Sequence, residues 1–322
     1  MDRPSLWRGI VATILALAMV VGSVVLARAA SDPEGKARES APGRWVAGDF
    51  HTHTYLTDGG RTQEEVALHA FSYGLDWFAN SDHGGTSARD PFGVKFPTPV
   101  ARWITLKDSS FPIVQGLRAA FPKKGIVQGL EWNVPTHEHA SVGIVTNEPA
   151  AISDFEYVCD ASDTDTSRGI PKMNKAHADA VACVAMLGRT FPETSYFLPN
   201  HPSRKQKYTV ADIRDFNNAA PRVAFGFEGI PGHQKETGRG GYDSFSQADP
   251  VHLRARTYGG ADVMVAKVGG LWDALLGEGR RFFIFANSDF HNTVGDFWPG
   301  EYSKSHTFVN RNGAAGDARL PR

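Results

Sequence analysis

The chain reads GDFHTHTYLTDGG from Gly48 to Gly60, and the first two residues of this stretch end a short strand predicted over residues 44–49. Alternate residues of an extended strand face the same side, so the imidazoles of His51 and His53 can reach one metal ion. A single His-x-His pair is weak support for a site, because histidine also occurs at ordinary protein surfaces. The other segments of the chain therefore decide what this pair does.

Five more segments carry the same types of side chain, and nearly all of them follow a predicted strand. They are Ser81-Asp82-His83, Leu130-Glu131-Trp132, His137-Glu138-His139, Asn200-His201-Pro202 and Ser288-Asp289-Phe290-His291. Buried histidines and carboxylates without partners are costly, so a set of this size indicates a bound partner. Imidazole suits zinc, iron and manganese, and a carboxylate can bridge two ions. The combined pattern predicts a cluster of divalent metal ions.

Strand-like and helix-like segments alternate along residues 44–310 and predict one α/β domain with a mostly parallel sheet. The capping-box residues Thr62 and Glu65, for example, predict a helix that continues to about Ser72. The candidate ligands lie mostly past the C-terminal ends of strands, which is the face that carries chemistry in (β/α) barrels. A barrel would bring strand ends that are distant in sequence to one mouth.

In this order, the motifs resemble those of the PHP (polymerase and histidinol phosphatase) superfamily of metal-dependent phosphoesterases. The matching pieces are His-Thr-His and Thr-Asp-Gly within 51–59, Ser-Asp-His at 81–83, Gly-Leu-Glu at 129–131, His139, Asn-His-Pro at 200–202 and Asn-Ser-Asp-Phe-His at 287–291. The resemblance covers roughly residues 44–292. It implies a distorted (β/α)7 TIM-like barrel that carries two to three divalent metal ions at the C-terminal ends of its strands.

The resemblance implies nine ligands that serve three ions: His51, His53, Glu131 and Asp289 for the first, Glu131 as a bridge with His139 and His201 for the second, and Asp58, His83 and His291 for the third. Many relatives have histidine where this chain has Asp58 and others have aspartate, which changes the charge of the site but not its position. His137 is an alternative to His139, which is preferred because it abuts a strand predicted over residues 140–145. The metal is open between zinc, manganese and iron.

With these ligands, the predicted function is a metal-dependent hydrolase that cleaves phosphoester bonds through a hydroxide held between the ions that share Glu131. Glu131 and Asp289 are the predicted catalytic carboxylates. Arg204, just after the Asn-His-Pro motif, is the predicted phosphate-binding cation, since a guanidinium matches phosphate geometry. Lys205 is a second candidate, and for both residues a solvated pair of loop charges is the alternative.

The remaining polar residues near the motifs receive weaker assignments. Asp82 is predicted to accept a hydrogen bond from a ligating imidazole rather than to bind metal. Glu228 and His233 follow a predicted strand. The sequence supports a role for them at the mouth of the barrel and no role in the site equally well. The other histidines match no motif and are predicted to be ordinary helix or surface residues: His69, His177, His252 and His306.

Two other functions stay open. An amidohydrolase-like metal hydrolase of C–N or C–O bonds also begins with His-x-His, but the Ser-Asp-His triplet and the Asp-x-His pair at 289–291 favour the phosphoesterase. A non-catalytic exported metal-binding protein would not need so complete a ligand set. A small organic phosphoester is the expected substrate. Nucleic acid is not expected, because 34 Lys+Arg against 35 Asp+Glu leave a net charge of -1 without a basic stripe.

The N-terminus has the layout of a secretory signal peptide, with basic residues before an apolar run over residues 9–26 and a small-x-small site at 27–29. Residues 1–30 are therefore predicted to be a signal peptide, with an uncleaved membrane anchor as the alternative. Residues 31–43 are predicted to be a linker and residues 311–322 a loose tail. Both alternatives predict export, either to the periplasm or medium or on a membrane anchor that faces away from the cytoplasm.

The chain has two cysteines, Cys159 and Cys183. In an oxidising compartment a disulfide between them is predicted, with two separate buried thiols as the alternative. The sequence has no Cys-x-x-Cys spacing, so a thiolate metal site is not predicted.

Overall fold

The computed structural model describes residues 43–232, Lys235 and residues 257–310. The predicted signal peptide or anchor, nearly all of the linker, the tail, His233 and His252 lie outside the described residues. Described residues 45–309 belong to one compact unit, and Gly43, Arg44 and Asn310 group with a second unit. In the described ranges, no helix has both the length and the apolar character needed to cross a membrane.

The described residues form ten strands and eight α-helices. The strands are β1 Gly43–Asp49, β2 Trp77–Asn80, β3 Thr86–Arg89, β4 Lys95–Ala101, β5 Gly125–Asn133, β6 His139–Ile144, β7 Ser195–Pro199, β8 Gly226–Ile230, β9 Phe283–Ala286 and β10 Ser305–Asn310. The helices are α1 Gln63–Ser72, α2 Arg102–Thr105, α3 Phe111–Ala120, α4 Ala150–Cys159, α5 His177–Thr190, α6 Val210–Ala219, α7 Val263–Ala266 and α8 Leu271–Gly277, and a π-helical stretch, Leu106–Ser110, joins α2 to α3. The capping box of Thr62 and Glu65 begins α1 as predicted.

The largest sheet has six strands in the order β10–β1–β2–β5–β6–β7. Pairs β1/β2 and β2/β5 are parallel, whereas β5/β6 and β6/β7 are antiparallel. The predicted α/β class is confirmed, but the prediction of a mostly parallel sheet is wrong for the part of the sheet formed by β5, β6 and β7. Only residues 134–138 separate β5 from β6, which is too short for the crossover that a parallel pair needs.

The sheet curls into half a barrel, and the full (β/α)7 TIM-like barrel that was predicted is not shown. Strands β8 and β9 form a separate parallel pair. Residues next to these strands make single backbone contacts with the other part of the fold: the Phe197 N–H of β7 donates to the Val223 carbonyl before β8, and an isolated parallel bridge joins Thr52 after β1 to Phe290 after β9. Isolated bonds of this kind bring the strand ends together without a continuous ladder around a closed barrel.

An apolar cluster fills the inside of the curved sheet next to the candidate site. Phe50, which directly precedes His51, packs edge-to-face on Trp77, Tyr196 and Phe285 from β2, β7 and β9. All four aromatic side chains are buried. The cluster excludes water from below the strand ends, so the polar residues just beyond it lie in a region of low dielectric.

A larger core lies where α4, α5 and α6 cover β5, β6 and β7. The disulfide between Cys159 and Cys183 joins the end of α4 to α5 inside this core, which confirms the predicted pairing. The cross-link fixes two of the helices that support the strands carrying Glu131 and His139.

Candidate metal centre

Glu131, near the end of β5, is the buried side chain on which the candidate ligands converge. Its Oε1 lies 3.1–3.2 Å from one ring nitrogen of each of three histidines, His51, His139 and His201. Its Oε2 lies 3.0 Å from His83 Nδ1 and 3.4 Å from His53 Nε2. The two oxygens of one carboxylate therefore face different histidines, which is the arrangement expected of a bridging ligand.

Two aspartates complete the network through the histidines. Asp289 Oδ1 lies 3.0 Å from His51 Nε2 and 3.2 Å from His53 Nε2. Asp58 Oδ1 lies 3.2 Å from His53 Nδ1, and its Oδ2 lies 3.2 Å from His291 Nε2 and 3.3 Å from that of His83. Asp289 is buried, whereas the Asp58 side chain is 50% exposed and forms the rim. All nine predicted ligands thus lie in one connected network.

Backbone conformation at the site is unusual at two of these residues. His201 has φ +27° and Asp289 has φ +46°, in the left-handed region that residues with a Cβ rarely adopt. Each such residue costs about 1–2 kcal/mol. Gly59 is needed for a different reason, because a Cβ there would lie 2.5 Å from the backbone nitrogen of Thr54. The unfavourable backbone conformations therefore occur at two residues whose side chains belong to the network.

Glu228 at β8, which the sequence left undecided, lies directly behind the ligand network. Its Oε1 is 3.1 Å from His51 Nδ1, and its Oε2 accepts a hydrogen bond from the His201 backbone N–H at 2.6 Å. A carboxylate on Nδ1 fixes the ring so that Nε2 faces Glu131 and Asp289, as carboxylates do for many metal-bound histidines. Only the contact across 177 residues of chain identifies this role, and no motif in the sequence could have done so.

Asp82 has a different task from the one predicted. It accepts hydrogen bonds from the Thr54 backbone N–H and from the hydroxyls of Thr54 and Thr57, at 2.6–2.7 Å. Asn80 Nδ2 donates to it at 3.0 Å. Within the described ranges, no imidazole hydrogen bond to Asp82 is present, so the predicted contact with a ligating histidine is not found. Asp82 instead holds the loop that connects His53 to Asp58.

The electrostatics of the network favour positive charge in a buried place. Burial alone would lower the pKa of His51, but the carboxylates of Asp289 and Glu131 raise it well above its usual range. Burial likewise opposes protonation of His53, but the Asp58 carboxylate contributes most to raising its pKa to about 9. Divalent cations would supply the positive charge that these carboxylates attract.

The donor atoms also fit metal ions by their spacing. Atoms that share one ion at about 2.0–2.2 Å lie roughly 2.9–3.6 Å from one another, and the contacts at Glu131 span 3.0–3.4 Å. Within the described part of the chain, His201 Nδ1 is buried and has no hydrogen-bond partner. Several groups of these side chains could hold an ion, and they share members, so these distances do not assign each residue to one ion.

The structure separates the two histidines that the sequence left as alternatives. His139 lies at Glu131, whereas His137 turns away and bonds to His177. Arg204 is also close to the network, with its Nη2 3.3 Å from His139 Nδ1 and 2.5 Å from the buried Glu138. Lys205 pairs with the other oxygen of Glu138 at 3.4 Å. Arg204 is therefore a partly buried side chain paired with the buried Glu138 at the edge of the site, and not a solvated loop charge.

No protein-family model matches the chain, and no curated protein matches it significantly in sequence. Among solved structures, it is similar to a two-domain protein from Bacteroides vulgatus ATCC 8482 that contains a predicted PHP-like metal-dependent phosphoesterase. The identity is 13%, the TM-score is 0.40, and the match covers 77% of this chain and 53% of that one. The chain thus spans about half the length of the structure it matches. Similarity at this level does not assign a function.

Proposed function

We propose that this chain is a metal-dependent phosphoesterase that hydrolyses small organic phosphoesters. The observation that carries the proposal is that nine ligand-type side chains from separate segments form one network around Glu131, with contacts at the spacing of atoms that share metal ions. Nine ligands exceed the four that one zinc ion takes, which favours two to three ions of zinc, manganese or iron. Such ions, when bound, polarise phosphoryl oxygens and lower the pKa of water.

The residues of the chain would then divide the work between ligation and orientation. Glu131 and Asp289 bring negative charge between the histidines, and this charge would hold several cations close together. Glu228 orients His51, and Asn200 Nδ2 donates to Glu131 Oε1 at 2.9 Å, which fixes the carboxylate. Without such contacts the ligands would have to be ordered each time an ion or a substrate bound.

Arg204 would bind the phosphoryl group at the edge of the network. Its Nη2 is held by the buried Glu138, so the guanidinium is oriented before the substrate arrives. The charges of His139 and Arg204 lower the pKa of Glu138 to about 2, although burial alone would raise it. Because this carboxylate already balances part of the guanidinium charge, Arg204 should contribute to phosphate binding more through its oriented hydrogen-bond donors than through its net charge.

The test combines metal analysis with a substrate panel. Purified protein should contain two to three divalent ions per chain and hydrolyse phosphomonoesters or phosphodiesters. A chelator should remove the activity, and zinc, manganese or iron should restore it. Hydrolysis of amides without any hydrolysis of phosphoesters would support the amidohydrolase alternative instead. Bound metal without turnover of any substrate in the panel would support a metal-binding protein.

We also propose that the protein acts outside the cytoplasm. The signal-peptide pattern of residues 1–30 and the disulfide between Cys159 and Cys183 both support an oxidising compartment. N-terminal sequencing of the protein from its own host should find a chain that begins near Ala30. Full-length chain in the membrane fraction would favour the anchor, and full-length chain in the cytoplasm would contradict export.

A further inference from the structure

Two histidines from separate elements meet outside the network around Glu131. His137 lies in the turn between β5 and β6, and His177 is the first residue of α5. His137 Nε2 and His177 Nδ1 are 2.8 Å apart. Asp212, in the first turn of α6, places its Oδ1 3.8 Å from His177 Nδ1. The sequence predicted His177 to be an ordinary helix or surface residue, whereas in the structure it has His137 as a specific partner.

The outward nitrogens of both rings already have acceptors. His137 Nδ1 lies 2.8 Å from the Lys207 carbonyl, which can only accept, so this nitrogen carries the hydrogen. His177 Nε2 lies 3.1 Å from a carboxylate oxygen of Asp215 and donates to it in the same way. A neutral imidazole has one N–H, so the two nitrogens that face each other at 2.8 Å would both carry lone pairs. Either an extra proton or a metal ion must lie between them.

The surroundings match a metal site in detail. Metal-bound histidines usually donate their other N–H to a carbonyl or a carboxylate, and both rings do so. Asp212 Oδ2 accepts from the backbone N–H and the hydroxyl of Thr209, which fixes the carboxylate and leaves Oδ1 directed at the histidines. One ligand atom from each of the three side chains lies within 4.8 Å of the others.

We propose that His137, His177 and Asp212 form a second metal site, for a divalent ion of the zinc class, that fastens the β5–β6 turn to the first turns of α5 and α6. Two nitrogens on one zinc ion lie roughly 3.3 Å apart, so the rings must separate by roughly 0.5 Å. The His177 side chain is 32% exposed at the beginning of its helix and has room to move. The turn leads directly into His139, so the ion would also steady this candidate ligand of the main network.

Metal content tests the site independently of the proposed function and of any catalytic activity. Wild-type protein, His177→Gln and the control His306→Gln are equilibrated with the same micromolar zinc, freed of excess metal and measured by elemental analysis. His306 is exposed on β10, so its replacement should leave the zinc content unchanged. His177→Gln should bind about one zinc ion fewer per chain than wild type and keep the others. Equal zinc in wild type and His177→Gln would overturn the proposal and leave a proton-sharing histidine pair.

Thermal unfolding provides a second readout. Added zinc should raise the Tm of the wild type through an ion that binds only the folded chain, and this rise should shrink in His177→Gln. If circular dichroism shows that His177→Gln does not fold, Asp212→Asn replaces it in both measurements. The amide oxygen of the new asparagine can still accept the hydrogen bond from the Thr209 backbone N–H. An Asp212→Asn protein with wild-type zinc content and a wild-type zinc-dependent rise in Tm would reject the site.

Discussion

Glu131 and Glu156 are both buried glutamates, yet their pKa values are displaced in opposite directions. Burial alone would raise the pKa of Glu131, but the charges of His51 and His139 hold it well below its usual range. Burial and the charge of Asp160 raise the pKa of Glu156 well above its usual range. The first carboxylate therefore favours its ionised form, and the second favours its protonated form.

The partners of the two carboxylates explain the difference. Glu156 belongs to an acidic cluster with Asp160 and Asp163, whose oxygens accept mostly from N–H donors of the protein itself. The Gly85 backbone N–H donates to Glu156 at 2.7 Å, and Lys172 pairs with Asp163 at 2.8 Å. Glu131 instead faces five imidazoles. Buried carboxylates alone do not indicate a metal site; carboxylates surrounded by imidazoles do.

The largest expected effect follows from removing the carboxylate at the centre of the network. Glu131→Ala should abolish turnover and lower the metal content, because both oxygens face candidate ligands. The matched control is Glu156→Gln, which removes a buried carboxylate of the acidic cluster and should change neither metal content nor turnover. Elemental analysis and steady-state rates measure both variants. Near-normal turnover in a folded Glu131→Ala protein would show that the bridging ligand lies elsewhere.

The sequence pointed to side chains that the structure brings together, because each of them lies in a short motif and most of these motifs follow a strand. It predicted strand direction less well, since alternating segments do not reveal that the five-residue link over 134–138 makes an antiparallel pair. The roles of Glu228 and His177 could not be predicted, because each depends on one contact with a residue far away in the chain. Side chains without a motif acquire their function only through the tertiary fold.

A smaller effect is expected at the cation that borders the network. Arg204→Ala should weaken substrate binding by about 1–3 kcal/mol, which would appear as a higher KM, because a charged hydrogen-bond donor to phosphate is lost. The replacement also removes the closest cationic partner of the buried Glu138, so the Tm should fall as well.

The double variant Arg204→Ala with Glu138→Gln separates these two consequences. Removing the buried charge should recover most of the Tm but leave KM raised. A KM that returns to the wild-type value together with the Tm would show that Arg204 acts only by stabilising the fold.

The smallest expected effect is a change in the pH dependence of stability when Glu156 of the acidic cluster is replaced. A carboxyl whose pKa is raised on folding binds its proton more tightly in the folded chain, so its contribution to stability is present below the ordinary value of 4.5 and is lost as the pH rises. Glu156→Gln removes this loss, and its amide oxygen can still accept from the Gly85 N–H.

Glu156→Gln should therefore match the wild-type free energy of unfolding near pH 4 and exceed it near pH 8. Urea unfolding at both pH values, with equal metal present, measures the difference between the variants and cancels the titration of the network around Glu131. A variant that is less stable than wild type by the same amount at both pH values would show that folding does not raise the pKa of Glu156. In that case the contrast between the two buried glutamates would not hold.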